Sequence, residues 1–143
     1  MRHTVIGFGA AIVSLFVIGC SQPGTEPTAE VTGTVTYKGK PIDGVNVGFS
    51  PERGRPASGS TDASGRFTLS TFETGDGAVP GLHKVGIAEA DTGLQPMPGE
   101  PGAEKWKPPK SRISKKYADP TQSGFTAKVE LGKKNEFTFD MTE

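Results

Sequence analysis

Few side chains in this sequence are equipped for covalent or acid–base chemistry. Beyond residue 20 the only histidine is His83, and the only cysteine of the chain is Cys20. A Ser-His-Asp hydrolase needs a base held by an orienting carboxylate. The neighbours Leu82 and Lys84 offer none, and the alternation His83, Val85, Ile87 turns the imidazole to the inward side of a strand. His83 is therefore read as a structural histidine, and no catalytic residue is assigned. Asp62-Ala63-Ser64-Gly65 has part of the spacing of a calcium loop but lacks the downstream bidentate acid. Asp62 and Asp76 are read instead as acceptors for turn amides. One cysteine and two histidines exclude disulfide frameworks and Cys/His metal clusters. No metal and no cofactor is expected.

The remaining concentration of chemistry is a charged stretch, residues 105–117. It carries six basic side chains (Lys105, Lys107, Lys110, Arg112, Lys115 and Lys116), no acid, and the aromatics Trp106 and Tyr117. These eight residues are the candidate ligand-binding set. Basic groups interleaved with aromatics can hold single-stranded nucleic acid, an anionic glycan or acidic lipid headgroups. The competing reading is a solvated loop whose Trp106 packs back onto the fold. Asp119-Pro120-Thr121 just beyond is a turn initiator, with Tyr117 as a packing anchor for the loop.

Residues 1–20, MRHTVIGFGAAIVSLFVIGC, begin with a positive charge at Arg2 and continue with an apolar run from Val5 to Ile18. The run is shorter than the span of about 20 residues a bilayer requires and is broken by glycines. It fits the hydrophobic region of a secretory signal. Val17-Ile18-Gly19-Cys20, followed by the polar Ser21-Gln22-Pro23, resembles a bacterial lipobox. The resemblance implies cleavage before Cys20, a diacylglyceryl group on its thiol and a further acyl chain, such as palmitate, on the freed amine. Two or more chains give stable attachment, each buried methylene contributing about 0.8 kcal/mol. The expected organisation is a signal peptide over 1–19, a lipidated Cys20 with a flexible tether to residue 30, and one domain over 31–143. The location is then the exported side of a bacterial envelope membrane, where nucleic acid is not an expected partner.

The whole chain has 16 basic and 16 acidic residues, so overall charge selects no polyanion either. From Val31 onward the pattern has period two. Val31, Val35 and Tyr37 alternate with threonines, and Val45, Val47 and Phe49 follow. A short edge segment at 57–61 comes next, then Phe67 and Leu69, then His83, Val85 and Ile87. Phe125, Ala127, Val129 and Leu131 form the penultimate face, and Phe137, Phe139 and Met141 the last. About seven short strands with Gly/Pro/Asp turns between them predict an all-β fold, a single antiparallel Greek-key sandwich. Its expected core is Val35, Val45, Val47, Phe67, Leu69, Val85, Ile87, Phe125, Val129, Phe137 and Phe139. The interruption is a Pro-rich loop at about 91–124, with six prolines and four glycines. So long a loop in a small domain is functional or mobile.

Gly33-x-Val35-x3-Gly39-x-Pro41-Ile42-x-Gly44-Val45-x-Val47 resembles the opening of carboxypeptidase regulatory-like domains, which have a transthyretin-like fold. Thr61-Asp62-x2-Gly65-x-Phe67 and Pro80-Gly81-x2-Lys84-Val85 are similar to the next two segments of that family. Gly75-Asp76-Gly77-Ala78, the run Lys116-Tyr117-Ala118-Asp119-Pro120-Thr121-x-Ser123-Gly124 and the ending Asn135-x-Phe137-x-Phe139-Asp140 resemble a group of small planctomycete-type lipoproteins. His83 stands where that family commonly has tyrosine. The resemblance implies the fold and no established activity. A urate-pathway hydrolase on the same fold uses several histidines and a C-terminal Tyr-Arg-Gly-Ser motif, which this chain lacks. Intradiol dioxygenases on a related sandwich bind iron with two His and two Tyr, more histidines than remain here.

Three classes of function are thus weighed. A non-catalytic structural or protein-interaction module on a lipid tether, with an envelope protein as partner, requires no missing parts and stands first. A binding module for an anionic polymer or lipid surface, acting through 105–117, stands second. An enzyme stands last, because its parts are absent.

Overall fold

The computed structural model describes residues 26–90, 96–107 and 110–142. The expected signal peptide, Cys20 and the start of the expected tether lie outside the described residues. Eight strands follow in order: β1 (Val31–Tyr37), β2 (Lys40–Pro41), β3 (Val45–Pro51), β4 (Ala57–Ser60), β5 (Arg66–Thr68), β6 (Gly81–Glu89), β7 (Phe125–Val129) and β8 (Asn135–Met141). One sheet places β1 between β8 on one edge and β5 and β2 on the other; the second runs β4-β3-β6-β7. Two short 3-10 turns, Ala103–Lys105 and Lys115–Ala118, are the only helical pieces among the described residues. No helix there is long and apolar enough to cross a membrane.

The expectation of a purely antiparallel fold fails at one pair. β1 and β8 run parallel in continuous register, from Val31 opposite Asn135 to Tyr37 opposite Met141. The other ladders are antiparallel. Parallel neighbours need a long connection, and here nearly the whole domain supplies it. β7 belongs to one sheet and β8 to the other, so the turn at 130–134 carries the chain across the sandwich. Asn135 makes that crossing: its Oδ1 accepts from the Glu130 amide at 2.9 Å, and its Nδ2 donates to the carbonyls of Glu30, Glu130 and Lys133. The strand accordingly stops at Val129, and Leu131, expected to continue its buried face, is 56% exposed.

Period-two patterning delivers one side of each strand to the space between the sheets. Phe49 sits at the centre, with ring centroids 5.7 Å from Phe137, 6.0 Å from Phe139 and 6.4 Å from Phe67. Nine of the eleven expected core residues are buried; Phe125 and Phe137 are partly covered and pack against the rest. Val31, Phe49, Ala127 and Met141 complete the interior. Gly33 occupies an inward position of β1 because a Cβ there would lie 2.3 Å from the Phe137 carbonyl oxygen and 2.6 Å from the Phe67 ring. The two-residue connection from β1 to β2 needs positive φ at both positions. Lys38 (52°) and Gly39 (76°) supply it.

The sandwich has two distinct poles. At one, the chain arrives from the tether: Ala29 bridges Ala78 in both directions, at 2.9 and 3.0 Å, and the Asn135 side chain holds the Glu30 carbonyl. At the other lie the Lys38-Gly39 turn, whose Lys38 amide donates to Met141 O, and the junction where Ala90 N donates to Gly44 O. The seven residues of β1 separate these poles, a rise of roughly 20 Å at about 3.3 Å per residue. β6 ends at the second pole, and the long loop begins there.

Candidate functional site

His83 lies in β6, fully buried, with its ring 5.6 Å from that of Phe49. Its Nε2 is 2.7 Å from the Val79 carbonyl oxygen, so the nitrogen carries the proton and donates. Nδ1 has no hydrogen-bond partner among the described residues. Among the described residues no carboxylate bonds to this imidazole, and the ring is closed off from solvent beside that of Phe49. An orienting carboxylate and access to a substrate, the two requirements of a general base, are both missing from this arrangement.

The three aspartates singled out by sequence each close a turn. Asp62 Oδ1 accepts from the Ser64 hydroxyl at 2.7 Å, the Ser64 amide at 2.8 Å and the Arg66 amide at 3.0 Å. The Ser64 hydroxyl, then these amides, hold its pKa below the usual aspartate value. Partial burial of Asp76 acts to raise its pKa, but amides of Thr71, Phe72 and Glu73 at 2.7, 2.9 and 3.0 Å outweigh it and the net shift is downward. Asp119 accepts from the Thr121 hydroxyl and amide and from Gln122, and its pKa is lowered by these bonds in that order. Among the described residues no group of three or more His, Cys, Asp or Glu could hold a metal ion.

The basic-aromatic segment divides in two. From Arg112 onward it belongs to the sandwich. Arg112 Nε donates to Glu89 Oε1 at 2.7 Å, and its terminal nitrogens reach the Asp43 carboxylate at 3.3 Å and the Asp43 carbonyl at 2.9 Å. Glu89 is held below its usual pKa, chiefly by that Arg112 hydrogen bond. Ile113 and Tyr117 are buried, at 5% and 4% exposure. The Tyr117 ring stacks on Phe125 with centroids 5.6 Å apart, and its hydroxyl accepts from the Thr142 amide. Lys116 lies over the same ring at 5.0 Å.

This docked half covers a sheet edge. β7 pairs β6 only as far as Val85, which leaves the later residues of β6 without a strand on that side. The 115–118 turn and Pro120 lie there instead, and Ser123 Oγ caps the Val85 carbonyl. Gly86 makes room: a Cβ there would sit 2.9 Å from the Ala118 carbonyl oxygen and 3.0 Å from the Pro120 ring.

The other half stays outside. Residues 97–106 form successive turns in which Glu100 N donates to Met97 O, Ala103 N to Glu100 O, and Lys105 N and Trp106 N to Gly102 O. The Glu100 carboxylate returns the bond by accepting from Met97 N at 2.9 Å. None of the 3-10 residues Ala103–Lys105 is buried. Lys105, Lys107, Lys110 and Lys115 are exposed and make no ion pair among the described residues. Trp106 is 36% exposed and Met97 71%. No aromatic ring of the described residues stacks on Trp106.

Of the eight predicted site residues, then, Lys105, Trp106, Lys107 and Lys110 sit together on the open half, with Lys115 exposed on the docked half. Arg112, Lys116 and Tyr117 are engaged by the fold. Sequence reasoning did not find Ile113 as core or Arg112 as a clamp; Gly86 within an apolar strand was the available signal of a close approach. No protein-family model, curated protein or solved structure matches the chain.

Proposed function

We propose that this protein is an exported, lipid-anchored β-sandwich of the carboxypeptidase regulatory-like, Greek-key kind, with a non-catalytic structural or interaction role in the bacterial envelope. Supporting the anchor is the position of the only cysteine, at the close of an apolar leader and before a polar tether. Supporting a non-catalytic role is the state of the sole histidine of the domain: fully buried, hydrogen-bonded to a backbone carbonyl, and without a carboxylate partner among the described residues. Mass spectrometry of the N-terminal peptide checks the anchor, with Cys20 expected to carry a diacylglyceryl group on its thiol and an acyl chain on its amine. Cys20→Ser should leave the protein in the soluble fraction, whereas an unmodified N-terminus elsewhere overturns the reading.

A second reading has its own observation. Lys105, Lys107 and Lys110 carry no ion pair among the described residues and flank the only tryptophan, beside a 3-10 turn with no buried residue. Such a surface favours binding to an anionic polymer or lipid surface, attraction bringing the partners together and the indole adding contact.

A further inference from the structure

Three surfaces carry chemistry that the fold does not consume. A shallow site between Asp62, Arg66 and the threonines of β1 and β5 is polar, but the oxygen of Asp62 that carries its hydrogen bonds is committed to its own turn. A depression on the outer face of the β3-β6-β7 sheet holds the exposed Leu82 between Pro51 and Pro120, and nothing there selects an occupant. The open half of the long loop offers cations without an ion pair among the described residues, an exposed indole and a fixed place in the fold.

That place decides between possible ligands. The chain enters the sandwich at Ala29, beside Ala78. The loop leaves from β6 after Glu89 and returns at Arg112, which is bonded to Glu89 and Asp43 at the opposite pole. The tether therefore joins the sandwich at the first pole, and the loop lies at the pole opposite that point of attachment. Its turns are closed by backbone bonds and by the Glu100 carboxylate, so less conformational entropy is lost when a ligand is bound.

From this polarity we infer that the loop binds an acidic polysaccharide beyond the anchoring leaflet, not the lipid of that leaflet; the inference rests on the binding-module reading above. A linear acidic glycan has repeated carboxylate or sulfate charges for Lys105, Lys107 and Lys110. It also has the aliphatic faces of sugar rings, which pack against an indole. Lysines suit such a ligand, because an ammonium is a mobile point charge that tolerates variable anion spacing. The two local acids, Glu100 and Glu104, temper the field without reversing it.

Trp106 is the chain's only tryptophan, so its fluorescence reports the site directly. The lipidated full-length protein is reconstituted into phosphatidylcholine vesicles with and without phosphatidylglycerol, each carrying brominated lipid as a quencher. Polygalacturonate, dextran sulfate or neutral dextran is then added at low and moderate salt. The proposal expects no quenching by the anchoring lipid in either vesicle. It expects an emission shift with the two acidic polymers only, weakening with salt as charges are screened over about 8–10 Å. The triple variant Lys105→Ser, Lys107→Ser, Lys110→Ser should bind the acidic polymers about tenfold more weakly. Quenching by anionic lipid with no polymer response overturns the placement but keeps the binding module. Absence of both responses overturns the binding module itself. Failure of the protein to float with vesicles removes the anchor on which the polarity depends.

Discussion

Residues 97–110 and 111–123 lie in one Pro-rich connection, both basic and each with one aromatic ring, yet they meet opposite fates. Tyr117 is 4% exposed and stacked on Phe125, whereas Trp106, a larger ring, is 36% exposed with no stacked partner among the described residues. Arg112 pairs with two acids, and Lys105, Lys107 and Lys110 make no ion pair among the described residues. The difference lies in what the sandwich offers each half. Beyond Val85, β6 has an uncovered edge and a glycine that admits a neighbouring backbone, and the second half fills that gap. An unpaired edge leaves backbone groups to be satisfied, so covering it is part of folding. Composition alone is thus a poor guide to whether a loop is structure or surface.

The sharpest way to break this comparison is to truncate both rings. Tyr117→Ala should lower the unfolding free energy by about 3 kcal/mol, because it empties a buried site. Trp106→Ala should stay within about 0.5 kcal/mol of the wild type. Urea denaturation of both variants checks this through the midpoint at constant slope, and equal losses would mean that the outer half is packed after all. Next in size is Gly86→Val, whose side chain would meet Ala118 and Pro120 and lift the docked half. A cost of about 1–3 kcal/mol is expected from overpacking, with trypsin then cutting after Lys115 or Lys116 as readily as after Lys105.

Arg112→Ala probes the clamp that ties the docked half to Glu89 and Asp43. Arg112 is half-exposed, Asp43 more open and Glu89 about a quarter exposed, so about 1 kcal/mol or less is expected at neutral pH. The Arg112 bond depresses the folded pKa of Glu89, so its contribution is present above the usual glutamate value of 4.5 and is lost as pH falls through the lowered one. The gap between wild type and Arg112→Ala should therefore be widest near neutrality and shrink as pH falls below 4.5 through the lowered Glu89 value, measured as thermal midpoints across pH. The smallest effect belongs to the open half: the Lys105, Lys107 and Lys110 triple serine variant should change stability by less than about 0.5 kcal/mol. A larger loss would place those lysines with Arg112 among the groups that hold the fold.

The sequence by itself determined the strands and their inward faces. Period-two alternation marks which side of each strand leaves water, and a slip of one residue would expose the whole set; hence Val35, Val45, Val47, Phe67, Val85, Ile87, Val129 and Phe139 are buried as their spacing requires. It also determined the turns at Asp62, Asp76 and Asp119, because an aspartate bonding amides within five residues is a local event. Tertiary structure alone decided that β8 runs parallel to β1, that the missing length of β7 leaves half of β6 bare, and that residues 111–123 move in to cover it. Those outcomes depend on which strand edges remain unpaired once the sandwich has closed. A linear pattern of apolar and polar residues records the face of a strand but not its neighbours, so it could name the six basic residues of the loop without telling which the fold would claim.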